Sequence, residues 1–250
     1  MYGGGPFLQF CLDLLVAINL FLTLKNSQGL TRAHQASVPI SVHLDHATEP
    51  EHVEFALDLA EKGIVFDSIM VDSSHAETDE ENVALSRPYV ERAHKYGIAV
   101  EVELGRMEGG EAGLRTMSDA KLTDPAKASI YMSGTGADIL APSIGNLHGR
   151  YINTPNFRQD ILVRLKETFK GKAALCLHGT DDVSDELLLE CIRNGISKIN
   201  VNSAARDPYV IKLSQGLSDM PFPDAIEEAT EVFAEVCQGF FTIFGSKGMA

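Results

Sequence analysis

The 250-residue sequence has no tryptophan and only four cysteines. Cys11, Cys176, Cys191 and Cys237 are scattered without CxxC spacing, which argues against a zinc knuckle or a disulfide framework and is typical of reduced core thiols in an intracellular protein. Basic residues are also scarce, with 21 lysines and arginines against 35 acidic residues. The resulting net charge of −14 argues against binding to nucleic acid or to an anionic membrane. We expect a cytoplasmic protein.

A long hydrophobic run occurs near the N-terminus, at residues 7–24, and it is about as long as a membrane span. It is interrupted by Gln9, Asp13 and Asn19, and no basic segment precedes it, so a signal peptide is not indicated. We predict a buried helix here, with an interfacial or membrane helix as the alternative.

The rest of the chain alternates between short apolar runs and helix-like patterns. Six strands are predicted, at residues 38–45, 68–72, 98–104, 138–143, 173–178 and 197–201, and each is followed by a predicted helix. The third helix is predicted to begin after Asp124, which caps it, with Pro125 in its first turn, and the sixth at about Asp207. This alternation calls for a parallel sheet with crossover helices. We predict one domain, residues 1–250, of the (β/α)8 TIM-barrel type in the α/β class. It has about six clear βα units and is incomplete at the N-terminus, where residues 1–37 are atypical.

Histidines recur at the ends of the predicted strands. The first strand ends in Asp45 and His46, His148 follows the fourth strand, and the fifth strand ends at His178. Because the carboxyl ends of parallel strands open on one face of a barrel, we expect these side chains to converge. Three imidazoles with one open position are a ligand set of catalytic zinc. Taken alone, a simple pairing of Asp45 with His46 at the strand end would be the favoured interpretation, and His43 is interpreted as structural.

Glycine follows two of these histidines, at Gly149 and Gly179. A glycine allows close approach of the backbone to a ligand, and backbone N–H groups in front of a helix N-terminus bind phosphate. Each glycine taken alone is equally consistent with a simple turn.

A series of stretches resembles the class II, zinc-dependent fructose-bisphosphate aldolases, within the ketose-bisphosphate aldolase group. They are VPISVHLDHA (38–47), IMVDSSHAETDEEN (69–82), VEVELGRMEGGE (100–111), GADILAPSIGNLHGRY (136–151), ALCLHG (174–179) and GISKINVN (195–202). The resemblance covers roughly residues 38–208 and implies reversible aldol cleavage of a phosphorylated ketose, similar to fructose-1,6-bisphosphate, to dihydroxyacetone phosphate and an aldehyde. It also implies a glycolytic role, a homodimer in the intact enzyme and a monovalent cation, Na+ or K+, near the phosphate.

The resemblance implies a role for each matching residue. Asp45 corresponds to the acid/base that exchanges a proton with the substrate's C4 hydroxyl, and Glu111 to a mobile-loop acid that handles the carbon-bound proton. The implied zinc ligands are His46, His148 and His178, with Glu103 as an alternative ligand and Asp72 beside the zinc site. The residues implied in substrate binding are Gly149, Gly179, Asn200, Asn202, Ser203 and Arg206.

Two departures from the family's pattern concern the phosphate end. After His178 the chain reads Gly179-Thr180-Asp181-Asp182 where the family usually has Gly-Gly-Ser, and two carboxylates beside a phosphate would repel it. After Asn200 the chain reads Val201-Asn202-Ser203, and Arg206 could supply a bidentate phosphate contact. We therefore expect the phosphate end of the ligand to differ from the family's usual one.

A third departure is at the start of the chain, where about two strands and their helices are missing from the pattern. We expect a truncated version of a longer enzyme. Two other functions remain open at this point: a catalytically inactive, barrel-derived binding or regulatory protein, and another zinc-dependent barrel enzyme, such as a hydrolase in which Asp45 would activate water.

Overall fold

A computed structural model describes residues 7–9, 30, 33, 35–47, 49–105 and 122–248 of the chain. It contains one sheet of seven parallel strands in the order β1-β7-β6-β5-β4-β3-β2. The strands are β1 Phe7–Gln9, β2 His43–Ala47, β3 Ser68–Val71, β4 Ala99–Leu104, β5 Ile139–Pro142, β6 Ala174–Leu177 and β7 Ile196–Asn200. The helices are α1 Pro50–Glu61, α2 Asp79–His94, α3 Pro125–Thr135, α4 Gln159–Phe169, α5 Asp185–Arg193, α6 Ser203–Asp219 and α7 Phe222–Ile243.

The strict alternation of strands and helices from β2 to α6 confirms the prediction of six βα units in an incomplete barrel of the TIM type. All pairs of neighbouring strands are parallel, and each strand from β3 to β7 pairs with the strand that precedes it along the chain. The carboxyl ends of the strands therefore lie along one edge of the sheet, where the predicted site residues were placed.

Local signals in the sequence explain where helices begin. The Asp124 side chain accepts a hydrogen bond from the Ala126 amide, and Pro125 occupies the first turn of α3, as predicted. Thr78 caps α2 by accepting from the amide of Glu81 at 3.1 Å. Such caps satisfy amide groups that a helix N-terminus leaves without intrahelical partners.

Three predicted elements differ from the structure. Residues 7–9, predicted as the start of a helix, form β1, which pairs with β7 through Phe7 and Lys198, and residues 10–24 of that predicted helix lie outside the described residues. The predicted strand at 38–45 is also wrong in its first half: β2 begins only at His43, while Val38 and Ile40 are about half exposed. Hydrophobic composition alone does not make a strand where no neighbour covers the side chains. The helix predicted from 207 begins instead at Ser203.

The sheet has an apolar outer face and a polar inner one. Outward side chains such as Ile69, Val102, Leu140 and Ile199 join the main hydrophobic core between the strands and the helices. The alternate, inward positions carry a small apolar cluster, Met70, Ala141 and Cys176, and the buried polar and charged groups His43, Asp45, Ser68, Glu101, Glu103, His178, Lys198 and Asn200. The apolar core stabilises the fold, and the barrel interior is left for a polar network below the strand ends.

The cysteines agree with the compositional prediction where they are described. Cys176, Cys191 and Cys237 are buried free thiols, and Cys11 lies outside the described residues. Among the described helices, none combines the length and apolar character needed to cross a membrane.

Candidate metal centre

An irregularity at the end of β2 places two neighbouring side chains in the same cavity. In a regular strand, Asp45 and His46 would point to opposite faces. The pairing register with β3 shifts between Leu44 and Ala47, and His46 has a positive φ of 46°. As a result, Asp45 and His46 both line one cavity with His148 and His178. Such a bulge is a common means of re-aiming a side chain beside an active site.

Three histidines meet at this point although they are distant in sequence. The ring centroid of His46 lies 4.7 Å from those of His148 and His178, and the latter two are 5.7 Å apart. The Nε2 atom of His46 is 2.9 Å from the Nδ1 atom of His178. One ligand atom from each ring and one from Glu103 all lie within 4.8 Å of one another. The structure thus brings together all four residues predicted to contact a metal.

Asp72 fixes the ring of His46. Its Oδ2 atom lies 2.9 Å from His46 Nδ1, while its Oδ1 atom accepts hydrogen bonds from the Ser74 amide and hydroxyl. Burial acts to lower the pKa of His46, but the hydrogen bond to Asp72 and the charges of Asp45 and Asp72 outweigh it and raise that pKa to about 10. A carboxylate that holds Nδ1–H in this way leaves Nε2 directed at the cavity.

His148 fits a metal ligand for a different reason. Its Nε2 atom is buried and has no hydrogen-bond partner. Burial, together with the neighbouring rings of His46 and His178, lowers the pKa of His148 to about 3, so that its ring is neutral at physiological pH. A buried imidazole nitrogen without a partner is costly, and a neutral imidazole nitrogen is what a metal ion takes. The donor set fits a catalytic zinc site, in which three protein ligands such as histidines leave the fourth position open.

Asp45 lies below the histidines and is held in its ionised form. Its carboxylate faces His43 Nε2 at 3.5 Å and accepts from the Asn200 amide at 3.2 Å. Burial favours the neutral carboxyl, but the contact with His43 and the nearby His178 and His46 hold the pKa of Asp45 well below its usual range. An ionised carboxylate next to the ligand set can take a proton from a bound hydroxyl.

The other end of the cavity is lined by Gly149, Gly179, Thr180, Asp181, Asn202 and Ser203. Two of the hydroxyl groups here already donate within the protein. Thr180 donates to the Asn200 carbonyl at 2.6 Å, and Ser203 donates to the Asp181 carboxylate at 3.0 Å. Arg206 is beside this end but is not part of the lining, and its guanidinium contacts Asp207 and the Ser203 hydroxyl.

Gly179 is required by the contact between two loops. Its φ is 67°, and a Cβ atom at this position would lie 2.2 Å from the carbonyl oxygen of Leu147. Tyr151 reinforces the same contact, because its hydroxyl donates to the Gly179 carbonyl and accepts from the Leu147 amide. The loops that carry His148 and His178 therefore pack at a separation that only glycine permits.

The predicted site residues are almost all described, and they line the cavity or lie next to it. The exception is Glu111, which is outside the described residues. Sequence reasoning missed Glu101 and Lys198, which are buried beneath the histidines, and treated His43 as structural although it contacts Asp45. The sequence contains a signal for both. Glu101 lies two positions before Glu103, and Lys198 two positions before Asn200, so each shares a strand face with a predicted site residue.

Comparison with known proteins identifies the relatives of this chain. The profile of the family described as Fructose-bisphosphate aldolase class-II matches residues 19–249. A Coccidioides immitis protein provisionally named fructose-bisphosphate aldolase is 38% identical over 223 residues, which are 86% of this chain and 72% of that protein. A Streptococcus pneumoniae fructose-bisphosphate aldolase is 40% identical over 189 residues, 75% of this chain and 59% of the relative. The match to the streptococcal relative thus spans less than two thirds of its length.

A solved structure agrees with these sequence matches. The crystal structure of a Coccidioides immitis protein, provisionally named a fructose-1,6-bisphosphate aldolase, superposes with a TM-score of 0.87 at 35% identity, covering 98% of this chain and 84% of that one. An incomplete parallel barrel with convergent imidazoles and carboxylates at the carboxyl ends of its strands defines an enzyme of the TIM-barrel type. Within that class, this chain belongs to the class-II fructose-bisphosphate aldolase family.

Proposed function

We propose that the chain catalyses the reversible aldol cleavage of a phosphorylated ketose, similar to fructose-1,6-bisphosphate, to dihydroxyacetone phosphate and an aldehyde. The observation that carries this proposal is the convergence of His46, His148 and His178 around a common point, with the ionised Asp45 beside it. Membership of the aldolase family supports the same reaction class. We further propose the homodimer, the monovalent cation and the cytoplasmic location that the family resemblance implies.

The residues present fit a zinc ion. His46, His148 and His178 would hold it, and Glu103 lies close enough to serve as an alternative ligand. When bound, the metal supplies Lewis-acid polarisation of the substrate's ketone. Asp72 would orient His46 through the 2.9 Å contact to Nδ1.

The protein's own groups would handle the protons. In cleavage, Asp45 takes the proton of the C4 hydroxyl as the bond between C3 and C4 breaks, and in condensation it returns that proton to the aldehyde oxygen. The amide of Asn200 donates to both Asp45 oxygens, at 3.2 and 3.3 Å, and so orients the carboxylate. Glu111 would exchange the proton on the carbon atom, as the resemblance implies.

The rest of the substrate would be held by polar groups along the cavity. Asn200 would contact the carbon chain, and the backbone at Gly149 and Gly179 would contact the phosphate together with Asn202 and Ser203 at the start of α6. Arg206 is placed where it could add a contact from the rim.

A metal analysis combined with a cleavage assay tests the proposal. We expect about one equivalent of zinc in the purified chain, lost in His178→Ala and retained in His94→Ala, a control that removes a half-exposed histidine of α2. Release of dihydroxyacetone phosphate should fall by a factor of about 100 or more in Asp45→Asn with zinc retained. Absence of metal from the parent chain would favour an inactive binding protein, and hydrolysis without aldol cleavage would favour another zinc enzyme.

A further inference from the structure

The barrel interior beneath the metal centre contains an ion pair to which the proposed reaction assigns no role. Glu101 is fully buried, and Lys198 is only 5% exposed. The Nζ atom of Lys198 lies 2.8 Å from Glu101 Oε2. Burying two charges is costly, and replacing such a pair by apolar residues is often neutral or stabilising. The position of the pair therefore calls for an explanation beyond stability.

Glu101 contacts a proposed metal ligand directly. Its Oε1 atom is 2.7 Å from His178 Nε2. Because Oε2 of Glu101 pairs with the Lys198 ammonium, Glu101 is a carboxylate that can only accept, so the hydrogen atom between Oε1 and Nε2 is on His178 Nε2. The other ring nitrogen, Nδ1, then carries a lone pair and faces His46 across the cavity at 2.9 Å.

Lys198 also contacts the residue that orients Asp45. Its Nζ atom lies 2.8 Å from Asn200 Oδ1. An ammonium group can only donate, so the Asn200 oxygen must face it, and the amide nitrogen is consequently directed to Asp45. The 3.1 Å approach of that same nitrogen to His178 Nε2 joins two donors and is not a hydrogen bond, because Nε2 carries the hydrogen that it donates to Glu101.

We propose that Glu101 and Lys198 form a positioning pair that fixes the proton of His178 on Nε2 and the amide of Asn200 toward Asp45. Glu101 thereby presents His178 Nδ1 to the metal, while Lys198 balances the charge of Glu101 and turns Asn200. A single lysine thus couples the metal ligand to the acid/base. The inference rests on the proposed function for the use of the metal, but its geometry is separate from the identity of the substrate.

A double-mutant cycle gives the pair a signature that general destabilisation does not. In Glu101→Gln, the oxygen of the introduced amide would accept from Lys198, so the NH2 group of that amide would face His178 Nε2. Two donors cannot pair, so the imidazole proton would move to Nδ1, the nitrogen proposed to bind the metal. Adding Lys198→Met removes that conflict, because the oxygen of the introduced amide is then free to accept from His178 Nε2. The double variant also leaves no unpaired buried charge, so it is expected to fold where Lys198→Met alone does not.

The measured quantity is zinc affinity, obtained by competition with a chromogenic chelator and supported by the absorption spectrum of the cobalt-loaded protein. We expect affinity to fall about 10- to 100-fold in Glu101→Gln and to recover at least about fivefold in Glu101→Gln/Lys198→Met. Turnover should stay low in the double variant, because Asn200 Oδ1 no longer contacts the Lys198 ammonium and the Asn200 amide is no longer oriented toward Asp45. Ser197→Ala, at the part-buried position next to Lys198 on the same strand, is the matched control and should retain both.

Each outcome decides the inference. A double variant that binds zinc no more tightly than Glu101→Gln would overturn it, as would equal recovery of affinity and turnover. Because zinc affinity is measured without any sugar, absence of aldol cleavage in every variant would count against the proposed function and not against the positioning pair.

Discussion

Asp181 offers a direct test of how the cavity treats a phosphate group. Its Oδ2 atom lies 3.0 Å from the Ser203 hydroxyl that lines the same end of the cavity. A phosphate oxygen in hydrogen-bond contact with Ser203, at about 2.7 Å, would be at most about 5.7 Å from that carboxylate oxygen. At this distance two unit charges repel by about 0.7 kcal/mol in water and about 3 kcal/mol at the effective dielectric constant near a protein surface.

The partial exposure of Asp181 places the expected effect in the lower part of that range. Removal of the charge in Asp181→Asn should strengthen binding by about 1 kcal/mol, or about fivefold. Asparagine keeps an oxygen that accepts from Ser203, so the change is mainly electrostatic.

The assay is isothermal titration of inorganic phosphate into the zinc-loaded protein at two salt concentrations, and the gain should shrink at high salt. The matched control is Asp182→Asn, since Asp182 carries the same charge next along the chain, is exposed and has a φ of 56° that asparagine tolerates. The reasoning would be refuted by equal gains in the two variants, or by no gain in Asp181→Asn.

Four further predictions concern the metal centre and the core. Asp72→Asn should weaken zinc binding about 10- to 100-fold by releasing His46, and an unchanged affinity in a chelator competition would contradict that role. The zinc-free protein should lose stability as pH rises toward 10, because the pKa of His46 is raised to about 10 in the folded protein. The contribution of protonated His46 to the free energy of unfolding is complete below its unfolded pKa of about 6.5 and is lost as the pH rises to the folded pKa. Urea midpoints at pH 7 and pH 9 measure this trend, which should flatten in Asp72→Asn. Leu57→Ala, at a fully buried core position, should lower the free energy of unfolding in urea by about 2–5 kcal/mol, and a loss below about 1 kcal/mol would show that the core around Leu57 is poorly packed. Gly179→Ala should lose zinc affinity because its Cβ would lie 2.2 Å from the Leu147 carbonyl oxygen, and normal affinity would show that the two loops can separate.

The sequence was sufficient for features that depend on local chemistry. Alternation of strand and helix patterns predicted the six βα units, and Pro125 after Asp124 predicted the start of α3. The convergence of His46, His148 and His178 followed from the general rule that strand ends share one edge.

Features that depend on distant partners were not predictable in the same way. Residues 7–9 have the composition of a helix as much as of a strand, and β1 forms because β7 offers it hydrogen bonds. The positive φ of His46 has no local signal, since no glycine or asparagine marks the bulge. The partnership of Glu101 with Lys198 joins two strands that are not neighbours in the sheet, so no pattern within either strand reveals it.

The sequence separations within the metal centre have a consequence for folding. His46 and His178 are 132 residues apart, and Asp45 and Asn200 are 155 apart, so the centre exists only after most of the chain has assembled. Contacts of such long range are slow to form because the intervening chain must first lose its freedom. An ion shared by His46 and His178 would act as a cross-link, which for a loop of this length reduces the entropy of the unfolded chain by an amount equivalent to about 5 kcal/mol at 25 °C. Metal content would therefore report on assembly of the sheet from β2 to β6, and a folding intermediate that lacks β2 or β6 would be unable to retain the ion.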